Sequence, residues 1–184
     1  MTTHDDKRAT VLAVDDESDL AELYRTYLAS SYDVRVTTSA EEALERMDET
    51  VDVVLLDRRM PERSGDEMLN ALRERGYDAR VAMITAVEPD ADIVDMPFDD
   101  YRTKPVSKED LVALVEALLR RAEYDERSRE FFALASKKAA LEAAGNAGTE
   151  EYEELREELR VVRMEVDDTL DRPSARDAFT EIAS

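Results

Sequence analysis

The sequence predicts an α/β protein: a doubly wound, five-stranded parallel sheet followed by an antiparallel helical hairpin at the C-terminus. Short, continuously apolar runs alternate with segments of helical period, which is typical of parallel strands that are buried on both faces. Beyond residue 123 the strand-like runs stop, and helical period continues with one break at 145–149. A length of 184 residues suits one domain with a proper core and a smaller appendage. We therefore expect two units, residues 9–123 and residues 124–184.

In the first unit, predicted strands and helices alternate along the chain. The predicted strands are 10–14, 33–36, 51–56, 80–84 and a brief one near 100–103. Helices are predicted over 18–28, after Ser39, from Ser64, and over 107 to about 122. Ser39 is a candidate N-cap because Glu42 follows three residues later, the spacing of a capping box. Between the last two strands Pro89 and Pro97 interrupt an acidic segment, so any helix there should be short.

The second unit has two helical segments, 124 to about 144 and 150 to about 171, joined by a glycine-containing break. Thr149 is a plausible N-cap of the second segment. The apolar residues of that segment recur at near-heptad spacing: Tyr152, Leu155, Leu159, Val162, Val166 and Leu170. The first segment has a looser stripe: Tyr124, Phe131, Leu134 and Leu141. We expect the longer seam to exceed what one helix can cover, and therefore to bind a protein partner or a second copy of the chain.

The composition is strongly acidic, with 46 Asp or Glu against 25 Lys or Arg and a formal net charge of -21. Enough apolar residues remain for a core, so the acid excess predicts a solvated shell of the kind found in salt-loving organisms. The chain has no cysteine, which excludes disulfides, thiolate nucleophiles and cysteine-based zinc sites. The N-terminus lacks the apolar core of a signal peptide and no stretch is long enough to span a membrane, so we expect a cytoplasmic protein.

Reactive side chains follow four of the five predicted strands. Asp15 and Asp16 follow the first strand, Asp57 the third, Thr85 the fourth and Lys104 the fifth. The carboxyl ends of parallel strands meet at one edge of the sheet, where such proteins bind ligands. Three carboxylates close together would repel one another, and a hard divalent cation relieves that repulsion. Each residue alone could be a helix cap or a surface turn, but the ordered set describes a phosphoryl-accepting site.

Residues 9–123 resemble the receiver domain of two-component response regulators, which has a flavodoxin-like fold. The matching motifs are Val14-Asp-Asp-Glu17, Leu55-Leu-Asp-Arg-Arg-Met-Pro61 with Gly65 after it, Thr85-Ala86, and Tyr101-Arg-Thr-Lys-Pro105. The resemblance implies that Asp57 is the phosphoacceptor and that a sensor histidine kinase is its partner. It also implies that Mg²⁺ binds to Asp16, Asp57 and the backbone carbonyl of Arg59, with Asp15 helping through water.

The same resemblance assigns roles to three more residues. Lys104 would pair with the phosphoryl group, and Thr85 would donate a hydrogen bond to it. Tyr101 would be an aromatic switch that swings inward when Thr85 moves. Residues 124–184 are similar to the HalX-type helical domain that is attached to haloarchaeal receivers.

Two other functions remain open from the sequence. A DNA-binding transcriptional regulator would act through the C-terminal region, but residues 124–184 hold nine basic against sixteen acidic residues and no basic recognition helix. A Mg²⁺-dependent phosphohydrolase of the haloacid dehalogenase type would need a second Asp two residues after Asp57, where Arg59 stands. We therefore favour a phosphoacceptor switch over a turnover enzyme. Arg59 and Val87 offer no carboxamide or carboxylate that would orient a hydrolytic water, so the phosphoryl group should be lost slowly.

Overall fold

The structure is a computed structural model, and it describes residues 7–122 and 126–169. The strands are β1 (Thr10–Val14), β2 (Asp33–Thr37), β3 (Val51–Leu56), β4 (Arg80–Thr85) and β5 (Asp100–Thr103). The helices are α1 (Ser18–Leu28), α2 (Ala40–Arg46), α3 (Gly65–Glu74), α4 (Lys108–Arg121), α5 (Glu126–Ala143) and α6 (Glu150–Thr169). All five predicted strands are present, and their bounds are correct to within one residue.

The five strands form one parallel sheet in the order β2-β1-β3-β4-β5. This order confirms the predicted doubly wound class. It places β1 and β3 side by side at the centre, so the loops that follow them begin next to each other. The backbone N–H of Asp57 donates to the carbonyl of Val14 at 2.9 Å and joins the two strand exits.

Alternate residues of each central strand face opposite sides of the sheet, and both sides are buried. Val53 and Leu55 belong to a core formed with α1 and α4, whereas Val54 and Leu56 belong to a core formed with α2 and α3. Burial on both sides explains why the strands are apolar throughout and do not alternate with polar residues.

Short polar side chains fix the beginnings of the helices. Ser39 accepts a hydrogen bond from the backbone of Glu42, as predicted, and Ser64 forms a complete capping box with Glu67. Between β4 and β5 the chain makes only a single 3₁₀ turn, Ala91–Ile93, which confirms that the helix in this position is abbreviated.

The two C-terminal helices run antiparallel. Arg127 near the start of α5 pairs with Glu165 near the end of α6 at 3.2 Å. The hydroxyl of Tyr152 near the start of α6 donates to Glu142 at the end of α5. The described helices therefore form the predicted hairpin.

The apolar seam of α6 is not left uncovered, so our expectation of an excess seam was wrong. The described seam residues Tyr152, Leu155, Val162 and Val166 are all buried, and Leu159 is partly buried. They share one continuous apolar cluster with α5 and with the α3 side of the sheet. The sequence underestimated how much of this seam α5 covers, since α5 is the element against which α6 packs. Tyr124 and Leu170 lie outside the described residues, as does the only histidine, His4.

In the described part of the chain, no helix is both long enough and apolar enough to cross a bilayer.

Candidate functional site

Three carboxylates meet at the carboxyl edge of the sheet. Asp15 follows β1 and is 1% exposed, Asp57 follows β3 and is 6% exposed, and Asp16 is exposed to solvent. Each offers a carboxylate oxygen that lies within 4.8 Å of one from both of the others. A set of hard oxygen donors at this spacing suits a small divalent cation, which would relieve the repulsion among the carboxylates.

Lys104 reaches the same point from the end of β5. Its Nζ lies 2.7 Å from Oδ2 of Asp15, 3.3 Å from Oδ2 of Asp57 and 3.9 Å from Oε1 of Glu17. Its backbone N–H donates to the carbonyl of Thr85 at 2.8 Å, which places the lysine and the threonine side by side. The site thus combines the ammonium of Lys104, the hydroxyl of Thr85 and three carboxylates, which come from four strand exits.

Burial and charge act in opposite directions on the central ionisable groups. Burial raises the pKa of the Asp15 carboxyl and outweighs the hydrogen bonds from Lys104 and from the backbone of Glu17. Burial would lower the pKa of the Lys104 ammonium, but the hydrogen bond to Asp15 and the charges of Asp15 and Asp57 outweigh it. The pKa of Lys104 is therefore raised. Lys104 remains a fixed positive charge beside Asp57 at neutral pH.

Most of the predicted site residues line one open cleft of about 470 Å³. These are Asp16, Asp57, Arg59, Thr85 and Lys104. Asp15 adjoins the cleft through its contact with Lys104. The cleft admits a small ligand from solvent to the Asp57 carboxylate.

Tyr101 contacts the site through Val87. Thr85 is 1% exposed, and its Oγ accepts a hydrogen bond from the backbone N–H of Val87 at 3.3 Å. The Tyr101 hydroxyl donates to the carbonyl of Val87 at 2.6 Å, and the residue is only 4% exposed. The ring therefore lies inward in this structure, and its movement together with Thr85 stays a prediction.

Arg58 is a residue of this region that the sequence did not reveal. It directly follows Asp57, is buried, and pairs with Asp66 of α3 at 3.0 Å and with Asp92 of the 3₁₀ turn. Burial would lower the pKa of the guanidinium, but hydrogen bonds with Asp66 and Asp92 outweigh it and raise the pKa. A charged residue at a buried strand exit was the available signal, but its distant partners could not be identified from the sequence.

Gly65 makes the acceptor loop possible. A Cβ at this position would lie 2.1 Å from the carbonyl oxygen of Asp57 and 2.9 Å from Cα of Arg58. The backbone N–H of Gly65 donates to the carbonyl of Arg58 at 2.9 Å. The start of α3 thus lies directly against the backbone of the candidate acceptor.

Fold and site together define a class of protein: a doubly wound parallel sheet with a carboxylate cluster and a lysine at its carboxyl edge. The family model described as the response regulator receiver domain matches residues 11–116, and the HalX domain matches residues 120–182. The chain belongs to the response regulator receiver family, and its receiver is followed by a HalX domain.

Individual relatives agree with this assignment. A Haloferax volcanii protein is described provisionally as a transcriptional regulator. It is 51% identical to this chain over the matched region, which covers 84% of this chain but only 27% of the Haloferax protein. The transcriptional regulatory protein CpxR of Escherichia coli K12 is 35% identical over 65% of this chain, which spans 53% of CpxR. The crystal structure of the response regulator TrrA of Thermotoga maritima, in complex with Mg²⁺ and BeF, is 30% identical. The superposition covers 60% of this chain and 98% of the TrrA chain, with a TM-score of 0.53.

Proposed function

We propose that this chain is a phosphoacceptor switch in which Asp57 takes a phosphoryl group from a partner histidine kinase. The observation that carries the proposal is the position of the Asp57 carboxylate, which lies in an open cleft between an acid pair and the ammonium of Lys104. Membership of the receiver family supports the same chemistry.

The transfer is a displacement at phosphorus. A carboxylate oxygen of Asp57 forms the new O–P bond, the P–N bond to the donor histidine breaks, and the histidine takes a proton from solvent. Lys104 pairs with the phosphoryl oxygens of the acyl phosphate, since its Nζ is already within 3.3 Å of the accepting carboxylate. The hydroxyl of Thr85, which now accepts a bond from the backbone of Val87, would move toward the phosphoryl group and donate its proton there.

Asp16, Asp57 and the backbone carbonyl of Arg59 would hold Mg²⁺, with Asp15 contributing through water. The bound ion would neutralise charge on the carboxylates and on the incoming phosphoryl group. The TrrA complex with Mg²⁺ and BeF supports this choice of metal for a related receiver.

The receiver comprises residues 9–123 in this proposal and the output region residues 124–184. The chain stores a phosphoryl group and does not turn over a substrate, and its output is a protein contact in transcriptional control. The names of the relatives support the transcriptional role. The acid excess of the output region disfavours direct DNA binding, because the region contains sixteen acidic residues and only nine basic ones.

Labelling with acetyl phosphate tests the proposal. The wild type should be labelled on Asp57 only when Mg²⁺ is present, and Asp57→Asn should remove the label. Asp19→Asn, at an exposed carboxylate in the first turn of α1, is the matched control and should label normally. Labelling of the Asp57→Asn protein at the wild-type level would contradict the proposal.

A further inference from the structure

The chain segment between β4 and β5 is held in place from the hairpin. The side chain of Asn146 donates to the carbonyl of Pro89 at 2.8 Å, and Nζ of Lys137 donates to the carbonyl of Val94 at 2.8 Å. These carbonyls lie on either side of the 3₁₀ turn. The hairpin therefore fixes the path of the segment that leaves Thr85.

Asn146 owes its position to the way α5 ends. Gly145 has a φ of +79°, a left-handed conformation that glycine adopts without cost. The backbone N–H of Gly145 bonds to Glu142 and that of Asn146 bonds back to Leu141, the pattern of a glycine-terminated helix. This turn carries the side chain of Asn146 back toward Pro89.

A short chain of contacts connects that hydrogen bond to the candidate site. Val87 donates its N–H to the hydroxyl of Thr85 at 3.3 Å and accepts at its carbonyl from Tyr101 at 2.6 Å. Pro89, the partner of Asn146, is two residues further along the chain. A displacement of Thr85 must therefore move or break a bond that involves the segment fixed by Asn146.

We propose that Asn146 is a positioning residue, which holds the segment after Thr85 and thereby links docking of the HalX hairpin to phosphorylation of Asp57. This inference rests on the proposed function of Asp57. A phosphoryl group on Asp57 recruits the hydroxyl of Thr85, Val87 loses the geometry of its present bond, and the shift is transmitted to Pro89. The hydrogen bond from Asn146 opposes that shift and favours the unphosphorylated arrangement.

Linkage fixes the sign of the effect, because two coupled equilibria must influence each other equally. If phosphorylation weakens the contact with Asn146, removal of that contact must favour phosphorylation. The loss of one such hydrogen bond corresponds to roughly a 2- to 10-fold change in an equilibrium. The Asn146 variants should therefore reach half-maximal phosphorylation at an acetyl phosphate concentration lower by about that factor.

The test uses the full chain at high salt. Asn146→Asp keeps the size of the side chain but removes its donor, and Asn146→Ala removes the side chain altogether. Asn70→Ala, at an exposed asparagine on α3, is the matched control. Both Asn146 variants should be phosphorylated more readily than the wild type, whereas the Asn70 variant should match it. Equal phosphorylation of all four proteins on Asp57 would overturn the inference.

Hydrogen exchange on the wild type gives a second measurement that does not depend on the folding of the Asn146 variants. Phosphorylation of Asp57 should speed amide exchange in the turn 144–149 and in the segment 86–96, and the Asp57→Asn protein treated in the same way should show no change. If Asp57 is phosphorylated but exchange in the turn is unchanged, the inference fails while the proposed function stands. If Asp57 takes no label at all, the proposed function fails first.

Discussion

The substitution Gly65→Ala tests how closely α3 approaches the candidate acceptor. The new Cβ would lie 2.1 Å from the carbonyl oxygen of Asp57, so the two backbones must separate by about 1.3 Å to reach an ordinary contact of 3.4 Å. Overpacking of this kind costs about 1–3 kcal/mol. The better helix propensity of alanine returns up to about 1 kcal/mol. Because the clash is with backbone atoms, which cannot rotate away, the cost should lie at the upper end of that range. We expect a net loss of about 2–3 kcal/mol, which lowers the Tm by roughly 4–12 °C for a chain of this size.

The same substitution should slow phosphorylation of Asp57, because the backbone that has to move is that of the acceptor itself. Gly148→Ala is the matched control, since a Cβ there meets nothing within 4 Å. Thermal melts in high KCl and the initial rate of labelling by acetyl phosphate measure the two effects. A Gly65→Ala protein that melts and labels like the wild type would refute the close-approach argument.

Three further outcomes follow from residues described above. Arg59→Asn should speed loss of the phosphoryl group, because an amide in the cleft can orient water; a wild-type half-life of seconds would argue against this. The Tm should rise from 0.1 to 3 M KCl, since screening relieves the repulsion of a chain at -21, and a flat Tm would remove the inference of a salt-adapted surface. Leu155→Ala, at a fully buried seam position, should cost about 2–5 kcal/mol in urea unfolding. Met164→Ala, at a side chain 60% exposed, should be nearly neutral, and equal losses in the two variants would contradict the packing of α6.

The parts of the protein that local sequence determines were predictable. The strands are continuous apolar runs, so their bounds could be read directly, and a parallel sheet brings all its strand exits to one edge. That rule alone placed Asp15, Asp57, Thr85 and Lys104 together, and the structure brings them together. Ser39 could be assigned as a cap because its partner is three residues away.

Long-range contacts between side chains could not be predicted in the same way. Asn146 lies 57 residues from Pro89, and Arg58 lies 34 residues from Asp92. No periodicity relates such pairs. The first depends on how α5 lies against β5, and the second on how the 3₁₀ turn lies against the loop after β3. The burial of the α6 seam also depends on tertiary packing, so the excess that its spacing predicted is not found.

The continuous apolar cluster that joins the hairpin to the α3 side of the sheet has a consequence for how this protein can be taken apart. The receiver family model ends at residue 116 and the HalX model begins at residue 120, both within α4. The apolar core nevertheless extends across that boundary. Phe131, Leu141 and Leu155 are buried in the same cluster as Met83 and Phe98. The two regions should therefore unfold in one cooperative transition, and exchanging this hairpin for that of another regulator would require the receiver's matching surface to be exchanged with it.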